Sequence, residues 1–156
     1  MTETLSPITV GAPPAPRPSA PVPAAERLRT DPAYQAFWLL RAGFTAAPIL
    51  FGLDKYFHVL VNWDRYLAPF VVRQTPWDAH QIMYVVGAIE ILAGVIVALR
   101  PRFGGYLVAV WLAAIVVNLL VIPGFYDIAL RDFGLLVSAL ALARLATAFA
   151  PARAHR

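Results

Sequence analysis

AHQIMYVVGAIEILAGVIVALR, residues 79 to 100, decides how the rest of the chain must be read. At ~1.5 Å per residue a helix of this length spans the ~30 Å hydrocarbon core of a bilayer, and the run is apolar enough to stay there. Its one carboxylate, Glu90, falls near the middle. An ionised side chain at that depth is costly in lipid and requires a partner, which makes it the first candidate for a built polar site. Working outward, three more runs of the same kind follow from the sequence, over about 33–61, 103–122 and 126–149. Asp31 or Thr30 can cap the first and Pro32 suits its first turn, while Pro48 inside it can kink it. Pro101, Pro123 with Gly124, and Pro151 punctuate the exits of the other three.

Composition agrees with this reading. The chain has 156 residues, 60% hydrophobic and only 14% charged, with a mean hydropathy of +0.64, too apolar for an ordinary soluble domain and too short for two. The expected fold is all-α: an integral membrane four-helix bundle, residues 31–150, with a Pro/Ala-rich tail before it and a short basic tail, 151–156, after it. Residues 1–30, with Pro7, Pro13, Pro14, Pro16, Pro18, Pro21 and Pro23 among Ala and Ser, lack any hydrophobic period and are expected to be disordered. They show no basic-then-apolar arrangement of a cleavable signal peptide. The net charge of +4 is spread thinly, so no nucleic-acid partner is expected. There is no cysteine, which excludes disulfides, thiolate catalysis and Cys-ligated clusters within this chain.

The basic residues read as topology signals. Eight arginines (Arg17, Arg27, Arg29, Arg100, Arg102, Arg144, Arg153, Arg156) would share one side, against three (Arg65, Arg73, Arg131) on the other. That places both termini in the cytoplasm. Residues 62–77, with Trp63, Tyr66, Leu67, Phe70 and Val71 among charges, are expected to lie as a short amphipathic piece on the outer surface.

Depth then sorts the polar residues. Glu90 lies near the midplane, Asp54, Lys55, His58 and Asn118 in the outer half, and Asp127, Arg131 and Asp132 at the outer rim. At 100° per residue Arg41, Asp54, Lys55 and His58 share one face of the first helix, opposite Ala46, Ile49, Leu50 and Leu53, and that polar face is expected to point inward. Gly87 and Gly94 flank Glu90 on one face of the second helix and allow close approach. Lys55 is the first choice of partner for Glu90 and Arg41 the second. Asp127 and Arg131, four apart, read as a rim salt bridge, and Asn118 as interhelical glue. Asp54 and His58 are also four apart, but two ligands without a third do not make a metal site, and His58 is expected to be a satisfied interfacial imidazole with no second histidine nearby. Gly104 and Gly105 open a membrane helix and follow no strand, so they are not a phosphate loop.

Several short motifs together resemble a known family: Arg41 in the first helix, Gly-Leu-Asp-Lys at 52–55, Gly-Ala-Ile-Glu-Ile-Leu-Ala-Gly at 87–94, Arg-Pro-Arg at 100–102 and Tyr-Asp-Ile-Ala-Leu-Arg-Asp at 126–132. Over about residues 37–148 the chain is similar to the DoxX family of four-helix bacterial membrane proteins, named for the membrane subunit of a thiosulfate:quinone oxidoreductase. The resemblance implies the bacterial inner membrane, other membrane subunits as partners, and a redox-associated subunit without a covalently bound cofactor. In that reading Lys55, Glu90 and His58 surround a quinone headgroup, a cation or imidazole bonding its carbonyl. A structural or assembly subunit with a purely structural polar core is the alternative. Four helices without an inverted repeat offer little of a transport path.

Overall fold

The computed structural model describes residues 22–149. The chain is an all-α integral membrane four-helix bundle: α1 (Ala24–Thr30), α2 (Pro32–Phe57), a 3-10 turn (Trp63–Tyr66), α3 (Pro69–Arg73), α4 (Ala79–Leu99), α5 (Pro101–Leu120) and α6 (Tyr126–Phe149). Helices α2, α4, α5 and α6 are each long and apolar enough to cross a membrane. Leu39, Leu50, Leu99, Val110, Val117 and Leu130 point outward, as an apolar solvent around the bundle requires.

Local chemistry sets the helix ends. Asp31 caps α2 through its carboxylate, which accepts from the Ala33 and Tyr34 amides, and Pro32 occupies the first turn. The helix continues through Pro48 but ends at Phe57, four residues earlier than the hydropathy run. The cause is Asp54, whose carboxylate draws the Val59 and Leu60 amides at 3.0 and 3.1 Å away from the helical ladder, while His58 turns left-handed at φ 52°. Asp78 and Gln81 form a reciprocal capping box at the start of α4. Pro101, expected to close the second span, instead sits in the first turn of α5, so that helix runs 101–120 and not 103–122.

Of the expected tail, residues 1–21 lie outside the described residues, as do 150–156. Residues 24–30 correct the expectation of disorder: they are helical, and Arg27 of α1 lies over the rings of Tyr34 and Phe149 at 4.7 and 5.1 Å. That contact ties α1 to the start of α2 and the end of α6.

Packing divides the bundle into halves of different character. At the α1 end, Phe37, Phe44, Val97, Val108, Ala139 and Leu142 form a dry core. Small residues bring the helices close there and beyond. A Cβ at Gly52 would sit 2.6 Å from the Gly87 carbonyl oxygen, and one at Gly94 2.7 Å from that of Thr45. Gly105 is equally tight against Ala143 of α6. Ile49, expected on the lipid face, packs its side chain on Gly94. The opposite half is hollow and contains most of the buried polar groups.

Candidate functional site

The hollow half is organised around one ion pair. The Lys55 ammonium donates to Glu90 Oε2 at 2.6 Å, and both side chains are buried, Lys55 at 3% and Glu90 at 9% exposure. Gly87 makes the approach possible, since a Cβ there would lie 3.2 Å from that of Lys55. Glu90 is one turn farther along α4, ~4.5 Å deeper at ~1.5 Å per residue. The lysine chain therefore runs toward the middle of the bundle, the reverse of the usual excursion of a lysine toward water. The indole of Trp63 covers its ammonium at 3.8 Å from the ring centroid, adding a cation–π contact to the charge pair.

Beside this pair opens a cavity of about 620 Å³, bounded by α2, α4, α5, α6 and the 60–71 segment. Its walls are mostly aliphatic, and its polar members include Lys55, Glu90, Trp111, Asn118, Arg131 and Asp132. A second cavity of about 340 Å³ lies between α2, α4, α5 and α6 and shares Phe51, Glu90, Trp111, Leu112, Ile115 and Leu135 with the first. Glu90 and Trp111 thus stand where the two spaces meet. The Trp111 indole is near enough to the Glu90 carboxylate to interact with it. Its N–H is nevertheless outside hydrogen-bond geometry and is buried without a partner.

The other expected site residues are placed differently. Arg41 does not reach Glu90: its guanidinium donates to the Ala98 carbonyl at 2.6 Å, closing the C-terminal end of α4, and lies over Trp38 at 4.7 Å. Asp54 does not line the cavity. It is a loop anchor, accepting from Val59, Leu60 and, at 2.7 Å, the Trp63 indole N–H. Through Trp63 it also fixes the ring that covers Lys55. Asn118 does not join helices; its side chain donates to the Tyr66 carbonyl at 2.6 Å and accepts from the Ala68 amide at 2.9 Å, holding the 66–68 segment over the cavity. The Asp127–Arg131 bridge is present at 3.3 Å and exposed, whereas Asp132 turns into the cavity and belongs with Lys55 electrostatically.

His58 differs most from expectation. It does not line the cavity, and a second histidine is nearby: its ring stacks on His80 at 4.9 Å between centroids. Neither Trp63 nor Trp111 is a site residue by sequence: Trp63 reads as an interface anchor until the folded loop brings it over Lys55, and Trp111, at the middle of α5, reads as one more apolar residue of its span. Neither family models, nor curated proteins, nor solved structures match the chain.

Proposed function

We propose that the chain is a DoxX-like subunit of a bacterial inner-membrane redox complex, with both termini cytoplasmic, and that its larger cavity holds a quinone headgroup. The observation that carries this reading is the Lys55–Glu90 pair opening onto a mostly apolar space of about 620 Å³, within the size range of small-molecule sites. The donor set fits the group. A quinone presents two carbonyl acceptors and no strong donor, and the cavity is lined by Lys55, whose ammonium donates, and by the indole of Trp111. Glu90 is placed to exchange a proton with Lys55 at 2.6 Å. The smaller cavity, lined by Leu39, Leu40, Phe44 and Ile115, supplies apolar room for a prenyl tail. A quinone bound there would carry the electrons. The protein's part is to bind and orient it and to keep a cation at its carbonyl.

The assembly reading rests on the same pair in another way, because an ion pair at the closest approach of α2 and α4 also fixes their register. Quinone titration separates the two. Trp63 and Trp111 both line the cavity, so a short-tailed ubiquinone analogue added to the detergent-solubilised protein should quench their fluorescence saturably. Ile115→Trp, which fills the space shared by both cavities, should weaken that binding by roughly tenfold or more. Absence of saturable quenching, or equal binding by the filled variant, would reject the quinone site and leave the assembly role.

A further inference from the structure

We propose that His58, Asp64 and His80 form a binding site for a divalent transition-metal ion such as Zn²⁺, stapling the end of α2 and the 3-10 turn to the start of α4. The site lies at the hollow end of the bundle, apart from the ion pair, and is independent of the quinone reading.

Geometry supplies the first argument. The ligand atoms of the three residues lie within 4.8 Å of one another. Two of them, His80 Nδ1 and Asp64 Oδ2, are 3.3 Å apart, close to the ~3.4 Å edge of a tetrahedron with ~2.1 Å metal–ligand bonds. Closing the triangle on an ion moves the widest pair together by roughly 1.4 Å, within reach of ring rotation at the half-exposed His80.

Polar atoms are also left over in this cluster. Three buried side-chain polar atoms lack a partner among the described residues, and two of them, His58 Nε2 and Asp64 Oδ1, are in this cluster. Buried polar atoms are rarely left that way unless something absent from the protein chain meets them.

The third argument is positioning. His58 adopts φ 52°, ψ 40° at the end of α2, where helices ordinarily place glycine or asparagine. Asp54 holds that turn rigid through Val59, Leu60 and Trp63, which presents Asp64 on the next residue. The capping box of Asp78 and Gln81 fixes the first turn of α4 and with it His80. His80 Nε2 lies 2.8 Å from the Tyr84 hydroxyl, whose oxygen can accept from Nε2 once Nδ1 exchanges its contact with Asp64 Oδ2 for a metal ion. Tyr84 is itself stacked on Tyr56 at 5.0 Å. A site of two imidazoles and one carboxylate suits borderline divalent ions over Mg²⁺ or Ca²⁺, with solvent completing the shell.

The test uses protein purified without a polyhistidine tag, in a His155→Gln background so that His58 and His80 are the only histidines. Zn²⁺ is titrated in competition with a chromophoric chelator, and thermal unfolding is recorded with and without the metal. One tight equivalent and a raised melting temperature are expected. Asp64→Asn and His80→Gln should each weaken binding by roughly 100-fold, and Tyr84→Phe by about tenfold. His58→Gly is decisive, because glycine relieves the left-handed backbone: the metal-free melting temperature should hold or rise while Zn²⁺ affinity falls by roughly 100-fold. Undiminished affinity in His58→Gly, or displacement of Zn²⁺ by equimolar Mg²⁺, would overturn the site. Binding indifferent to all four variants would mean adventitious surface Zn²⁺ only, and would overturn it equally.

Discussion

Removing either partner of the Lys55–Glu90 pair should destabilise the bundle, and removing lysine should be the worse of the two. In Lys55→Met the buried carboxylate keeps only the imperfectly placed Trp111 indole, and the like charge of Asp132, which lines the same cavity, is no longer offset by the ammonium. A buried charge stripped of its partner costs about 3–5 kcal/mol. In Glu90→Gln the ammonium keeps the Trp63 face at 3.8 Å and the attraction of Asp132. A desolvated cation–π contact is worth about 2 kcal/mol, so the loss should shrink to about 1–3 kcal/mol. The double variant exchanges the pair for an uncharged thioether and amide of similar volume and should fall within about 1 kcal/mol of the parent. The coupling energy of the cycle should therefore be at least about 3 kcal/mol. Helicity followed by circular dichroism during SDS titration of mixed micelles measures each stability. Additive single losses would mean that no pair exists in solution; a larger loss for Glu90→Gln than for Lys55→Met would show that Trp63 and Asp132 do not hold the ammonium as described.

Two further predictions concern packing and orientation. Gly87→Ala should cost about 1–3 kcal/mol in the same assay, because its Cβ would sit 2.7 Å from the Gly52 carbonyl oxygen, a backbone atom that cannot rotate away; Gly43→Ala, with nothing within 4 Å, should be neutral or stabilising by up to about 1 kcal/mol, and equal losses at the two positions would mean that α2 and α4 are not in close contact. For orientation, the chain has no cysteine, so one introduced at Gln74 or Arg102 is its only thiol; an impermeant reagent should label intact cells at Gln74 alone, and labelling at Arg102 would invert the topology.

What the sequence could show depended on whether a residue's partner is set by depth and phase or by a fold-back. Hydropathy located all four spans, and the height of Glu90 together with the glycines beside it pointed to Lys55, because both helices are regular and count in fixed steps. The same counting failed for Arg41, since a side chain at the bundle's end meets the unpaired carbonyls of its neighbour's last turn before it meets a distant acid. It failed for the end of α2 as well: Asp54 takes two amides from beyond the helix, a choice made by one side chain against an unbroken apolar run. His80 is twenty-two positions from His58, and only that early ending turns the chain so that their rings meet.

Satisfaction of polar groups is a tertiary property, and it is what separates structural polar residues from candidates for binding. Asp54, Asn118 and Arg41 looked as functional in sequence as Lys55 or His58, yet each makes hydrogen bonds to nearby backbone. Residues so engaged have little left to offer a ligand. Among the described residues the buried atoms left over are the indole N–H of Trp111, the Nε2 of His58 and the Oδ1 of Asp64. The first belongs to a residue lining the apolar cavity beside an ion pair; the other two belong to residues whose ligand atoms gather with one from His80 within 4.8 Å. An unpaired donor at a hollow calls for an acceptor such as a carbonyl, whereas unpaired acceptors converging on one point call for a cation. Each leftover atom thereby states the chemistry of what should meet it, and the two sites ask for opposite kinds of ligand.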